Sequence, residues 1–310
     1  MGKDMKTGFE NHFQVAHAVY SVMLGKRLIV RHALRVCLTL LGLLLAWGQV
    51  YAQEQETDVA DPCSGPWALL AILDRPTVST SPCAAPRGQF LLEMGFQRAK
   101  PRDPASGTMD TYPQAEVRIG LPGRNEFTLI PPGYNRQRTR SGSHSGTEEA
   151  SGYSALTLGL KHELGYTEHW LGAVQALFTL PSGSSDFGSQ DLGMALNGVV
   201  SYALSEQVGL TLQLGISSQT DPVDAGGERF TAFVSNLVVT WQPKERLQFY
   251  GEIYGQSSTG PGKGAGYNAD GGIQYLITPY WEVDLEGGVR LAGDLGGLSH
   301  FFGMGMGFRY

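Results

Sequence analysis

The end of the chain constrains its fold more than any other stretch. Over residues 298–310, one set of alternate positions is apolar or aromatic and the other is almost bare of side chains. The first set is His300, Phe302, Met304, Met306, Phe308 and Tyr310, and the second is Phe301, Gly303, Gly305, Gly307 and Arg309. Side chains alternate across a strand with a period of two, so this pattern predicts a β-strand rather than a helix.

This strand ends on an aromatic residue, Tyr310, with no polar tail after it. Such an ending is typical of the closing strand of a bacterial outer-membrane β-barrel, where the assembly machinery recognises it. The alternative is an edge strand of a soluble β-sandwich, and the rest of the chain has to decide between the two.

Residues 24–52 have the pattern of a secretory signal. A basic stretch precedes the apolar run 36–47, and Val50, Tyr51 and Ala52 fit a cleavage site. The apolar run is shorter than the roughly 20 residues that a membrane-spanning helix needs. We therefore expect residues 1–52 to be a signal peptide with an extended n-region, cut after Ala52. Met23 is a possible true start.

Cys63 and Cys83 are the only cysteines after that signal. Disulfides persist in the compartments that exported proteins reach, and a bridge closing a loop of this length contributes roughly 3 kcal/mol in the chain-entropy model. Residues 53–100 contain no histidine and no further cysteine. We therefore expect one disulfide, and no metal or cofactor. Residues 53–87 are interpreted as a periplasmic segment, or as a small plug inside a barrel.

From Gly88 onward, alternation with a period of two recurs in twelve segments. The predicted strands are 88–98, 113–121, 125–131, 153–164, 168–180, 190–203, 207–217, 229–242, 246–256, 267–277, 280–291 and 298–310. Most of them are near the 9–11 residues that cross a membrane at a tilt, and the third is short.

The connections between these segments alternate between short and long. Short turns follow the second, fourth, sixth, eighth and tenth strands, whereas residues 132–152, 181–189, 218–228 and 257–266 form longer polar connections. Aromatic residues cluster beside both kinds of connection, as membrane interfaces favour. Together these features predict an all-β fold, an antiparallel up-and-down transmembrane barrel of about twelve strands over residues 88–310.

If the apolar face of each strand meets lipid, the other face lines the lumen. The predicted lumen-lining residues are Glu93, Glu116, Arg118, Lys161, Glu163, Glu252, Asp270, Asp284, Glu286, Arg290 and Arg309. Carboxylates outnumber cations in this set, which would favour cations or neutral polar solutes. The alternative is a salt-bridged network that fills the barrel. Eight strands are filled by side chains and sixteen leave a channel, so twelve strands allow either arrangement.

Enzyme motifs are weak in this chain. His144 and Ser145 invite comparison with outer-membrane phospholipase, but they lie in a Ser/Gly-rich loop without a matching asparagine. A Gly-x-Ser-x-Gly elbow and a His-Glu-x-x-His helix are both absent from the sequence. No catalytic residue is therefore predicted. No block of lysine and arginine follows the N-terminal region, so a nucleic-acid partner is not expected.

The mature chain resembles the family named for the MetA pathway of phenol degradation, a group of outer-membrane barrels. The resemblance covers nearly all of residues 63–310. It is carried by residues 63–65, 69–78, 81–83, 88–95, 156–161, 177–183, 270–279 and 303–310, which include Leu177-Phe-Thr-Leu-Pro-Ser-Gly183 and Asp270-Gly-Gly-Ile-Gln-Tyr-Leu-Ile-Thr-Pro279. It implies an outer-membrane location and uptake of aromatic or other small molecules, but it supplies no binding residues.

The sequence therefore favours a channel for passive or facilitated uptake of small solutes, such as aromatic or hydrophobic compounds. A non-conducting structural or adhesive barrel and an outer-membrane lipid hydrolase are the alternatives. The expected partners are a small-molecule solute, outer-membrane lipid and lipopolysaccharide, and the barrel assembly machinery, which would recognise the strand ending at Tyr310.

Overall fold

The computed structural model describes residues 59–102, 106–140 and 147–310. The predicted signal peptide and the pair His144 and Ser145 lie outside these residues. Among these described residues, one α-helical turn, α1 (Leu69–Ile72), and one 3₁₀ turn (Val223–Ala225) accompany fourteen strands. These are β1 (Phe90–Pro101), β2 (Ser106–Leu121), β3 (Asn125–Ile130), β4 (Tyr134–Arg140), β5 (Thr147–Tyr153), β6 (Thr157–Tyr166), β7 (Trp170–Thr179), β8 (Gly193–Ala203), β9 (Val208–Thr220), β10 (Arg229–Lys244), β11 (Leu247–Gln256), β12 (Gly266–Thr278), β13 (Trp281–Ala292) and β14 (Leu298–Arg309). Within the described residues, no helix is long and apolar enough to span a membrane.

Twelve of the strands close into an antiparallel barrel, which confirms the predicted fold class. Each barrel strand pairs with its neighbours in chain order, and β1 pairs with both β2 and β14. Glu93 of β1 accordingly lies opposite Glu116 on one side and Gly307 on the other. The backbone amides of Phe90 and Tyr310 each donate to the other residue's carbonyl oxygen, so the two ends of the barrel chain meet at the end that carries the short turns.

The remaining two strands, β4 and β5, form a hairpin in the stretch 132–152, which the sequence pattern had predicted to be a loop. β2 is sixteen residues long; its second half pairs with β3 and its first half with β4. Pro131, Pro132 and Gly133 separate β3 from β4, because proline lacks the amide hydrogen that a strand ladder needs. This hairpin lies beyond the apolar zone, so neither of its faces has to be apolar and the alternation that marks the other strands is missing.

Polarity across the barrel wall is the reverse of that in a soluble protein. On β9, Leu212, Leu214 and Ile216 are 43–55% exposed, whereas the intervening Gln213 and the nearby Ser217 are at most 4% exposed. A continuous apolar outer surface of this kind is unfavourable in water. The outer face is therefore suited to the hydrocarbon region of a bilayer.

Aromatic residues stack at both ends of this apolar zone. Beside the short turns, the ring centroids of Trp170 and Tyr202 lie 4.5 Å apart, as do those of Trp281 and Phe308. Near the long loops, a row crosses four strands, with centroid distances of 6.2, 5.3 and 5.4 Å between successive rings of Phe96, Tyr112, Tyr134 and Tyr153. Two such girdles mark the two interfaces of a membrane.

The segment that precedes β1 folds inside the barrel around a small core of its own. Cys63 and Cys83 form a disulfide, as the sequence predicted. The bridge packs with the apolar side chains of α1 against the barrel wall. This core comprises Cys63, Leu69, Leu70, Ile72, Leu73, Cys83 and Ala85 of the segment, together with Leu91 of β1 and Leu276 of β12.

The reversed polarity can be tested with a charge on the outer face. We expect Leu214→Arg to lower the free energy of unfolding in lipid vesicles by about 2–4 kcal/mol, because a cation near the bilayer midplane is desolvated. Gln219→Arg is the matched control, since Gln219 is an exposed residue near the long-loop end of the same strand. Denaturant titration of both variants measures the difference. Equal stability of the two variants would contradict the assignment of the outer face to lipid.

Candidate functional site: the barrel lumen

The guanidinium group of Arg118 joins the barrel wall to the inner segment. Its side chain is fully buried. It donates to Glu126 through Nε and Nη2 at 2.9 and 2.8 Å, and to Glu93 through Nη1 at 3.1 Å. It also donates to the carbonyl oxygens of Ile72 at 2.6 Å and Cys83 at 3.0 Å. One cation thus holds three neighbouring strands and two distant points of the segment.

A second buried cation, Lys161 of β6, binds the same segment. Its Nζ lies 3.1 Å from Oδ1 of Asp74 and 3.6 Å from a carboxylate oxygen of Glu126. Asp74 also lies 3.3 Å from Arg118. The Asp74 carboxylate is therefore shared between two cations of the wall, and it accepts further hydrogen bonds from the segment itself, at Thr80 and Ser81.

Acidic and amide side chains of the wall accept the amide hydrogens of the segment. Glu93 accepts from Arg75 at 2.6 Å, and Glu126 from Ala85 at 2.7 Å. Glu252 accepts from the amides of Val78 and Ser79 at 2.7 and 2.8 Å. Gln213 accepts from that of Thr80 at 2.8 Å. An irregular segment has no ladder partners for these amides, so the wall satisfies them.

Arg75 of the segment contacts the wall along the neighbouring strands β2, β1, β14 and β13. Its guanidinium lies 2.9 Å from Asp284 and 3.5 Å from Glu286, and it donates to Gln114 at 3.1 Å. It lies directly against the backbone of Gly95 and Gly305, which face each other across β1 and β14. A β-carbon at either glycine would collide with the guanidinium. The bare inner face of the last strand is therefore occupied here by Arg75, and Leu73 occupies it in the same way at Gly307.

All eleven residues predicted to line the lumen lie on the inward face of the wall, but they divide into separate groups. Glu93, Arg118 and Lys161 surround Asp74, while Asp284 and Glu286 surround Arg75. Two others contact the segment: Glu252 accepts from the amides of residues 78–79, and Arg309 donates to the carbonyl oxygens of Gly65 and Pro66. Near the ends of the barrel, Glu163 lies 3.3 Å from Arg124 beside the short turns, and Arg290 donates to the carbonyl oxygen of Gly293 beside the long loops. The last two are Asp270, whose two carboxylate oxygens are buried without a hydrogen-bond partner, and the half-buried Glu116.

Three residues central to these contacts were missing from the predicted set. Glu126 is fully buried and faces inward; the alternation within the third predicted strand is the signal that could have identified it. Asp74 and Arg75 belong to a segment without any periodicity, so the sequence pattern contains no signal for their role.

Two cavities lie on either side of the segment. The cavity toward the long loops has a volume of about 330 Å³, and Gln97, Glu116, Tyr254 and Glu286 are among its wall residues. The cavity toward the short turns has a volume of about 280 Å³, and its lining includes Thr211, Thr240 and Gln248 as well as Glu168 and Glu206. Arg75 and Thr77 line both cavities. The segment is therefore the partition between them.

One cluster of the described residues has the composition of a metal site. Ligand-type atoms of Asp61, Cys63 and Glu163 lie within 4.8 Å of one another. The sulfur of Cys63 is bonded to Cys83, so it is not available as a thiolate ligand, and Asp61 accepts a hydrogen bond from the amide of Cys63. The third residue, Glu163, lies 3.3 Å from Arg124, so each of the three groups already has a partner in the protein.

Comparison with known proteins agrees with this architecture. A family model described as "Putative MetA-pathway of phenol degradation" matches residues 73–309. The chain belongs to this family. The match begins at Leu73, so the family region includes Asp74, Arg75 and Cys83 as well as the barrel, and the resemblance predicted from the sequence is confirmed.

Two solved structures are similar to the chain. The COG4313 outer membrane channel from Pseudomonas putida F1 aligns with a TM-score of 0.58 at 15% identity, over 76% of this chain and 100% of that one. The NanC porin aligns with a TM-score of 0.46 at 11% identity, over 71% and 98% of the two chains. No curated protein sequence matches the chain. The first of these likenesses shows that this member of the family has the fold of an outer-membrane β-barrel.

The contact between Arg75 and the glycines can be tested by filling the space. We expect Gly305→Val to displace the Arg75 guanidinium and to loosen the segment. Hydrogen exchange measured by mass spectrometry should then be faster in peptides covering residues 74–85. Gly251→Val is the control, because a β-carbon at Gly251 meets no atom within 4 Å. Unchanged protection in Gly305→Val would show that the segment is not held at this point.

Proposed function

We propose that this protein is an outer-membrane channel for small neutral polar or cationic solutes, and that residues 63–85 control passage through its lumen. The observation that carries the proposal is the partition of the lumen: two cavities open toward opposite ends of the barrel and share Arg75 and Thr77 in their walls. A solute that passed from one to the other would have to displace part of this segment.

The segment is held unevenly along its length. Residues 72–75 and 83–85 contact buried charges of the wall, and the disulfide ties Cys83 to Cys63. Residues 77–80, which we term the tip, have wall contacts through Glu252 and Gln213, plus a hydrogen bond from Gln175 to Thr80 at 3.4 Å. Because the tip has no buried ion pair with the wall, we expect it to move while the rest of the segment stays in place.

The proposed solute class follows from the charges beside the cavity toward the long loops, which we term the outer cavity. Glu116 and Glu286 line it, and the cation that also lines it, Arg75, is paired with Asp284 and lies 3.5 Å from Glu286, so three carboxylates accompany one cation. Anions would be repelled by this arrangement, and cations and neutral polar molecules would not. A phenol-like solute, of the kind that the family description refers to, keeps its proton at neutral pH and is uncharged. Such a molecule is compatible with the lumen.

A non-conducting structural or adhesive barrel is the second candidate. It is favoured by the buried contacts of Arg118 and Lys161, which hold the segment within the lumen from several strands. In either case we propose that the assembly machinery recognises the last strand, which ends at the exposed Tyr310, and that the long-loop end faces the lipopolysaccharide leaflet. Nothing among the described residues favours the lipid hydrolase.

Conductance in planar bilayers distinguishes the two candidates. We expect the full-length protein to show low conductance with brief openings, and a variant lacking residues 63–85 to show a severalfold higher conductance. If both proteins insert and neither conducts, the channel proposal is wrong and the structural barrel remains. If both conduct equally, the segment does not control passage.

Mobility of the tip can be tested with a matched pair of charge deletions. Glu252 and Asp270 face each other on β11 and β12, but only Glu252 accepts hydrogen bonds from the tip. Glu252→Gln should therefore lengthen the openings, because the amide binds the two backbone amides less strongly than a carboxylate does. Asp270→Asn removes the same formal charge and should leave the open time unchanged. Equal open times in the two variants would exclude the tip as the moving part.

The solute class can be tested by ion selectivity. In a potassium chloride gradient, the reversal potential of the variant without residues 63–85 should indicate cation preference. A combined Glu116→Gln and Glu286→Gln change in that variant should reduce the preference, because both carboxylates line the outer cavity. Anion preference before the change would refute the proposed solute class.

A further inference from the structure

The outer surface of the barrel carries a group of cations just beyond the aromatic row. Arg98 and Lys100 occupy successive outward positions of β1, and Arg136 and Arg138 occupy successive outward positions of β4. The side chains of Arg98 and Arg138 are 58% and 44% exposed. We term these four residues the basic cluster. β2 runs between the two strands, so the two pairs of cations are separated by about 10 Å, twice the spacing of neighbouring strands.

Strand register places the cluster directly above the aromatic girdle. Tyr112 pairs with Tyr134, and Tyr134 pairs with Tyr153. Two residues farther toward the long loops, Arg98 pairs with Asp110, and Asp110 pairs with Arg136. The guanidinium of Arg98 lies 5.7 Å from the ring centroid of Phe96, the first member of the aromatic row. Because aromatic girdles lie at the membrane interface, the cluster lies at the level of the lipid head groups.

The carboxylates beside these cations neutralise only part of the charge. Asp110 accepts from Arg98 at 2.6 Å, and Glu149 accepts from Arg136 and Arg138 at 2.7 and 3.2 Å. The hydrogen bonds from Arg136 and then Arg138 lower the pKa of Glu149, despite the opposite effect of desolvation, so it is ionised at neutral pH. Four cations against two carboxylates leave this surface positive, and it is complementary to an anion.

An apolar groove begins immediately below the cluster. It has a volume of about 680 Å³ and lies over β1, β14, β13 and β12. Its apolar lining includes Met94, Phe96, Val283, Leu285, Met304 and Met306. Phe96 belongs to both the groove and the aromatic row, so the groove and the cations form one continuous surface. The sulfur-containing side chains in the groove are flexible and adapt to irregular apolar ligands.

We propose that this surface binds a phosphorylated glycolipid of the outer leaflet, with the basic cluster on its phosphates and the groove against its acyl chains. The ligand has to be anionic above the girdle and apolar below it, which is the chemistry of a membrane lipid. Cations on both sides of β2 fit a head group with more than one phosphate better than a head group with one. The cluster also lies at the end of the barrel opposite the start of β1 and the end of β14, where the outer leaflet is expected. The inference rests on the proposed outer-membrane location, but not on conduction of solutes.

Binding of diphosphoryl lipid A to the detergent-solubilised protein, measured by native mass spectrometry, tests this site. The wild-type protein should bind diphosphoryl lipid A at least about tenfold more tightly than phosphatidylglycerol or dephosphorylated lipid A. A combined Lys100→Gln and Arg138→Gln variant should lose about tenfold in affinity, since each basic residue contributes a comparable electrostatic attraction to anionic lipid. The combined Lys244→Gln and Lys263→Gln variant removes the same charge elsewhere on the exposed surface and should bind like the wild type.

Two outcomes would overturn the site. Equal binding of phosphatidylglycerol and diphosphoryl lipid A would show a general anionic surface rather than a glycolipid site. Equal loss in the two double variants would show that only net charge matters. Heat-modified migration on gels reports folding of each variant, so a misfolded protein is recognised before its binding is compared. A protein that binds lipid A and never conducts would support this inference while refuting the channel.

Discussion

The buried guanidinium group of Arg118 is the contact on which the interior of this barrel depends. It donates to Glu93 of β1 and Glu126 of β3, and to the carbonyl oxygens of Ile72 and Cys83 in the inner segment. A buried charge that lacks partners is strongly destabilising, and a charge that is paired and fully hydrogen-bonded is tolerated. Because half of the acceptors belong to the segment and half to the wall, the segment and the wall stabilise each other's position.

The membrane environment explains why the barrel wall and the inner segment depend on each other. Lipid surrounds its outer face, so the polar side chains face inward and need partners there. The segment also needs hydrogen-bond partners, since its irregular backbone presents amide hydrogens that no neighbouring strand can accept. The polar groups of the wall and the segment pair with each other, since the segment's amide hydrogens are accepted by Glu93, Glu126, Glu252 and Gln213. Glu286, one of the two carboxylates beside the long-loop cavity, also lies 3.5 Å from Arg75 of the segment.

The glycines of β1 and β14 show how close this packing is. Gly95 and Gly305 leave the space that the Arg75 guanidinium occupies, and Gly307 leaves the space for Leu73. On the other side of the same strands, Met94, Met304 and Met306 line an apolar groove. At this point, only the strand backbone separates the buried Arg75 guanidinium inside the barrel from the lipid-facing methionines outside.

The sequence by itself determined the barrel, the number of its strands, the alternation of short and long connections, and the disulfide. These features are local: each barrel strand separates lipid from interior, so its own residues alternate. The β4–β5 hairpin was not predicted, because beyond the membrane neither face has to be apolar. The place of residues 63–85 in the lumen and their contacts were decided only by the tertiary structure. Arg75 and Asp284 are 209 residues apart, and closure of the barrel brings them together. An aperiodic segment has no pattern that reveals which wall residues will satisfy its backbone.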